Sequence, residues 1–229
     1  MPAVTLARSE DSPKRHAEGD PYFLDDAPGA SESTEDHRVF LRDASWGDFE
    51  TLLTMRGERS VPRMAFADGV IELMSPSSQH EHLKSLIGRL TEAYMLEQGI
   101  DFSPFGSWTL KQEKQQAGVE PDECYVLGHL DVQEAAAAKR PHLAIEVIWT
   151  SGGLNKLEIY RRLEVAEVWV WRRGELKPYV LKEGHYQLAE QSTVLPGIDL
   201  DRLAQFLDGY PFASAAIRAY RATLSAARF

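Results

Sequence analysis

The run Leu143-Ala144-Ile145-Glu146-Val147-Ile148 is apolar except for one carboxylate. A near-continuous apolar stretch of this length, entered at His142, reads as a strand buried on both faces. A carboxylate there is costly unless it is paired, because it gives up its hydration. Glu146 therefore needs a cationic partner, a metal ion or a chemical role. Side chains alternate along a strand, so Glu146 shares a face with Ala144 and Ile148, and Ile145 and Val147 occupy the other.

Upstream of that strand, Val119-Glu120-Pro121-Asp122 leads into Glu123-Cys124-Tyr125-Val126-Leu127. Residues 118–127 read as one strand entered through Pro121, which cannot donate to a ladder. Asp122 is then either a turn acid or the partner of Glu146. Downstream, Thr150-Ser151-Gly152-Gly153 is a tight loop and Leu154–Leu163 an amphipathic helix. Lys156 falls near the start of that helix, where the dipole disfavours a cation, and Tyr160 follows one turn later. The plain reading of Lys156 is a solvated lysine or an ion pair with Glu146. The chemical reading is a charge that reaches back to a phosphate or to an attacking water. Two acids from neighbouring strands can share Mg²⁺, which takes oxygen ligands and keeps several waters.

The rest of the chain supplies a frame. Ser45 caps a short helix from Trp46 to Met55, with Asp48 as the acidic partner of a capping box. Arg63–Phe66 and Val70–Met74 flank Asp68-Gly69, a strong hairpin signal. Glu72 interrupts the second of these strands and is a further candidate acid. Ser75-Pro76-Ser77-Ser78 breaks the strand and caps a long helix, Gln79–Gln98, which Gly99 ends. Leu83, Leu86, Ile87, Leu90 and Tyr94 give that helix one apolar face, and His80 stands at its start. Residues 102–112 hold one or two strands, 111–118 a polar turn and 131–139 a loop that can carry a short helical turn over Glu134–Ala138. Val165–Trp171, Lys177–Lys182 and His185–Leu188 form a meander turned at Arg173-Gly174 and Glu183-Gly184. Helices over 199–207 and 212–226 close the chain. This order predicts an α/β (α+β) fold, a mixed central sheet flanked by helices.

Composition narrows the function. The chain has 229 residues and a net charge of −10, which opposes passive, non-specific binding to nucleic acid but leaves room for a local basic face. It has a single cysteine, Cys124. The count excludes an intrachain disulfide and fits a reducing, cytoplasmic setting. No apolar run reaches the length of a membrane span, and the N-terminus lacks the apolar core of a secretory signal. A Cys/His zinc cluster and a glycine-rich phosphate loop are both missing from the sequence. Residues 1–38 are polar and aperiodic and read as a disordered acidic tail, 39–210 as the folded domain and 211–229 as a C-terminal helix packed on or beside it.

Taken in order, Asp68-Gly69 through Ser75-Pro76, His80, Glu120-Pro121-Asp122, Leu143–Val147, Lys156 with Tyr160, and Val165–Trp169 resemble the Uma family of restriction-endonuclease-like proteins. That family belongs to the PD-(D/E)xK nuclease superfamily, and the resemblance runs from about Ser45 to Leu207. It implies a restriction-endonuclease-like core and a Mg²⁺ (or Mn²⁺) site held by Asp122, Glu146 and the Val147 carbonyl. The superfamily lysine lies two residues past the strand acid. Ile148 stands there in this chain, and Lys156 matches the lysine that Uma proteins carry on the following helix. The resemblance further implies catalytic roles for Asp122, Glu146, Lys156 and Glu72 and a substrate contact at His80. A nucleic-acid substrate is implied, with DNA expected over RNA. Separately, an exposed sheet edge pairing with a copy of itself would give a homodimer. The rival reading is a nuclease-fold binding or regulatory module without hydrolytic activity.

Overall fold

The computed structural model describes residues 35–149 and 153–226. The expected tail up to residue 34 and the loop residues Thr150, Ser151 and Gly152 lie outside the described residues. In chain order the elements are β1 (His37–Leu41), α1 (Trp46–Arg56), β2 (Arg63–Ala67), β3 (Val70–Ser75), α2 (Ser78–Gln98), β4 (Phe102–Pro104), β5 (Leu110–Gln112), β6 (Ala117–Val119) and β7 (Glu123–Leu127). They continue with α3 (Val132–Ala137), β8 (Leu143–Val147), α4 (Lys156–Arg162), β9 (Glu167–Arg172), β10 (Glu175–Lys182), β11 (His185–Leu188), α5 (Leu200–Ala204) and α6 (Ala213–Ala226).

Local chemistry sets most of these boundaries. The Ser45 hydroxyl accepts from the Asp48 N–H and the Asp48 carboxylate accepts from the Ser45 N–H, so α1 begins on a complete capping box. Asp68 and Gly69 both take positive φ, 49° and 74°, as the tight β2–β3 turn demands. Ser77 caps α2 through the His80 N–H, and Gly99 ends it in the left-handed conformation.

The strands divide between two sheets. One is antiparallel, in the order β1-β3-β2-β6-β5. The other is mixed, in the order β11-β10-β9-β8-β7-β4, with β8 and β9 parallel. The α+β class and the mixed sheet flanked by helices agree with the sequence reading. Three details differ. Residues 37–41 form β1 on the edge of the first sheet, so the boundary drawn at residue 38 falls inside a strand. Residues 118–127 are two strands, not one. The chain leaves the first sheet after Val119 and enters the second at Glu123, because Pro121 has no N–H to continue a ladder. The polar turn drawn over 111–118 contains the ends of β5 and β6.

The six-stranded sheet is covered on one face by α2, α5 and α6. Leu143, Ile145, Val147 and Trp169 pack there against Leu86, Leu90 and Tyr94. Its other face carries Cys124, Ala144 and Val168, which meet Ile159 and Tyr160 of α4 and Ala65, Ala117 and Val119 of the first sheet. Helix α4 thus sits between the sheets, with Lys156 and Tyr160 one turn apart. Among the described residues no helix is long and apolar enough to cross a membrane.

Candidate active site

Alternation along β8 places Glu146 on the face it shares with Ala144, toward α4 and the first sheet. Glu146 is 3% exposed, and its partners come from α4. Lys156 Nζ donates to Oε2 at 2.6 Å, and the Tyr160 hydroxyl donates to Oε1. Residues four apart share a helix face, so a single turn of α4 clamps both oxygens. Burial, and then the Glu146 charge, push the Tyr160 hydroxyl well above the ordinary tyrosine value, which keeps it a donor. The Lys156 side chain stays 21% exposed, so the ammonium bridges a buried acid and open space.

Asp122 stands at the crossover between sheets. The β7–β8 register pairs Glu123 with Ile145, and one step further sets Asp122 across from Glu146. Asp122 is fully buried. Its Oδ2 accepts the Val147 N–H at 2.7 Å, tying it to the residue after Glu146. Its Oδ1 faces His80 Nε2 at 3.0 Å and pairs with the Arg63 guanidinium. Arg63, buried on β2, also pairs with Glu81 of α2. Glu120 faces the other way. It accepts from Arg56 at 2.5 and 2.6 Å, from the Met64 N–H at 2.9 Å and from the Thr109 hydroxyl at 2.5 Å. It therefore fastens the crossover to α1, β2 and the segment before β5.

His80 lies behind Asp122 with no exposed surface. Its other nitrogen, Nδ1, is 3.1 Å from Asp36 Oδ2. Burial raises the Asp36 carboxyl, but the bonds from His80 and the Ser77 N–H, with the charges of His80 and Arg38, hold it down to about 2. With a carboxylate at each ring nitrogen, His80 faces acids rather than substrate in this arrangement.

Glu72 points inward from β3 and is 2% exposed. Arg38 Nε donates to Oε1 at 3.2 Å, and the Leu154 N–H donates to Oε2 at 2.6 Å. A Cβ on Gly153 would lie 3.2 and 3.3 Å from these oxygens. Glycine lets the backbone before α4 come this close to the acid.

Glu72, Glu146, Val147 and Lys156 line one cleft of about 710 Å³, together with Arg38, Arg172, Arg173 and Lys177. Asp122 is outside that lining, one hydrogen bond behind Val147, and His80 is deeper still. Sequence reasoning missed Arg63, Asp36 and Arg38. It marked Tyr160 through its spacing from Lys156 and its place in the family pattern, without giving it a role; that spacing was the available signal for the second arm of the clamp.

The donors suit a hard divalent cation in kind, since the carboxylates and the Val147 carbonyl are oxygen ligands. They also have capacity. Of about four lone-pair sites per carboxylate, Glu146 uses one on each oxygen, and Asp122 takes one hydrogen-bond contact on Oδ1 and one on Oδ2. Among the described residues no three His, Cys, Asp or Glu side chains are grouped to hold a metal ion. Glu146, Asp122 and Glu72 are paired instead with Lys156, Arg63 and Arg38. Thiol chemistry is remote from this arrangement, because burial pushes Cys124 up to about 12.

Residues 46–208 match the family described as "Uma2: Putative restriction endonuclease". A solved structure described as a "putative nuclease belonging to DUF820", from Anabaena variabilis ATCC 29413, is similar at 12% identity and a TM-score of 0.44. That match covers 73% of this chain and 96% of that one. No curated protein matches the chain.

Proposed function

The chain belongs to the Uma2 family, and from that premise we propose that it is a Mg²⁺- or Mn²⁺-dependent endonuclease of the PD-(D/E)xK kind, acting on DNA in the cytoplasm. A nuclease family implies a nucleic-acid substrate, and restriction-endonuclease-like families generally use a divalent metal. The observation that carries the reading is the 2.6 Å Lys156–Glu146 pair on the cleft wall, with Asp122 bonded to the next backbone N–H at 2.7 Å. Asp122, Glu146 and the Val147 carbonyl would hold the ion. A bound divalent ion lowers the pKa of a water and offsets charge on the phosphate. The chain's own groups do the rest. Lys156, released from Glu146, holds the attacking water and the developing charge on the phosphate oxygens. Tyr160 keeps Glu146 oriented. The Glu72 bond to the Leu154 N–H fixes the start of α4 and with it Lys156. His80 holds Asp122 from behind, and its substrate contact would require Asp122 to move. A homodimer would form through a sheet edge, such as β1, β5, β4 or β11 among the described residues.

Plasmid cleavage with Mg²⁺ and Mn²⁺ tests this. The wild type should nick or linearise DNA only with the ion, and Glu146→Gln should lower the rate by about 10²-fold or more. A folded wild type that cleaves no nucleic acid with either ion would overturn the reading. The pairing of every candidate carboxylate with a cation, and the lack of a three-ligand group among the described residues, would then favour a nuclease-fold binding module.

A further inference from the structure

The catalytic reading uses the β8 side of the cleft and leaves the β9–β10 side unassigned. The register across this face is set by the ladders. Glu146 pairs with Val170, and Val170 pairs with Lys177. Neighbouring strands lie about 4.8 Å apart, so Lys177 stands roughly 10 Å from Glu146 in the same row, with the flat Val170 between them. Arg172 is two residues beyond Val170 on the same face, about 7 Å along the strand. Arg173 occupies the adjoining turn. Both arginines lack an ion pair among the described residues, and Lys177 has only the exposed Asp201 at 3.2 Å. An exposed pair of that kind is worth little and exchanges readily.

The charge of the cleft runs against that of the whole chain. Five Lys and Arg and three Glu line the cleft, while the protein carries −10 overall. Arg173 also sits at φ 53°, a conformation that Asn or Asp adopts more easily than Arg. Asp68 fills the corresponding place in the β2–β3 turn. The β9–β10 turn thus holds a cation at the cleft rim, where a turn-former would cost less.

We propose that Arg172, Arg173 and Lys177 form a track for the phosphates flanking the one at Glu146, so that a nucleic-acid backbone crosses the sheet face from the β9–β10 hairpin to β8. Tyr179, next to Lys177 on this face, gives the sugars an apolar wall. The track rests on the nucleic-acid reading above, but not on hydrolysis.

The test is binding of a fluorescein-labelled DNA duplex across a salt series, with Ca²⁺ in place of Mg²⁺. Relative to wild type, the triple variant R172A/R173A/K177A should bind about tenfold or more weakly, with a log–log salt slope smaller by about 2 to 3. Its melting temperature should match wild type. Glu175→Lys, which replaces the cross-strand partner of Arg172, should tighten binding. Arg140→Ala, near the opposite end of the sheet, should leave it unchanged. Equal affinity and slope in the triple variant, or no binding by wild type at low salt, overturns the track. Hairpin-dependent binding without cleavage keeps the track and removes the nuclease reading. Cleavage with hairpin-independent binding does the reverse.

Discussion

At the scale of the residue, the candidate chemistry turns on how Lys156 is held. Its ammonium is the only cation paired with Glu146 among the described residues, and it remains partly open to the cleft. Lys156→Ala would leave Glu146 with the Tyr160 hydroxyl alone. Losing one partner of a buried pair costs about 3–5 kcal/mol, and the exposure of Lys156 reduces this to roughly 1–3 kcal/mol. Lys156→Ala should therefore fold, melt lower and cleave about 10²-fold more slowly. Metal binding should persist, as calorimetry with Mn²⁺ would show, because both carboxylates remain. A folded variant that cleaves at the wild-type rate would remove Lys156 from the mechanism. Glu146 was legible in the sequence because an acid inside an apolar run has few explanations. Arg63 and Asp36 were not legible. They lie far from Asp122 and His80 along the chain, and only tertiary pairing brings them there.

At the scale of the element, the crossover that delivers Asp122 depends on close packing under it. Phe49 of α1, fully buried, lies on Gly118 of β6, where a Cβ would come 2.5 and 2.6 Å from the ring. Gly118→Ala must push α1 away from the first sheet, and overpacking of this kind costs about 1–3 kcal/mol. Urea unfolding should show that loss, and Phe49→Leu should recover part of it in the double variant. A Gly118→Ala midpoint equal to wild type would show that α1 shifts without strain. Elements with local signals were readable from sequence: the capping box of α1, the Asp-Gly turn of β2–β3, and the cap and glycine stop of α2. Strand β1 carried no such signal. Its exposure alternates on an edge, with Val39 56% exposed, and its register comes from β3. The division of residues 118–127 was hidden for a related reason. Pro121 announces a break, but which sheet each half joins is decided by pairing with β2 and β8.

At the scale of the whole molecule, one buried chain of polar contacts joins parts distant in sequence. Asp36 precedes β1, His80 opens α2, Asp122 lies between the sheets and Arg63 belongs to β2. The contacts run Asp36–His80–Asp122–Arg63, with Arg38 on Asp36. Such a network makes stability depend on pH, and Asp36 fixes the sign. Its folded value, about 2, lies below the ordinary carboxylate value near 3.9. The unfolded chain therefore takes up this proton first as pH falls. The stabilisation from Asp36 is complete above about pH 4 and fades as pH drops through about 2. Denaturant midpoints of the wild type should fall across that window. Asp36→Asn should be less stable at pH 7, by roughly 1–3 kcal/mol for a buried partner removed, and should have the flatter profile between about pH 4 and 2. Acids outside this network such as Glu158, held low by Arg161 and Arg162, contribute equally to both proteins and cancel in the comparison. Parallel profiles for the two proteins would mean that the bonds from His80 and Ser77 do not hold the Asp36 proton off. The anchor of Asp122 would then have to be sought in Arg63 and the Val147 N–H alone.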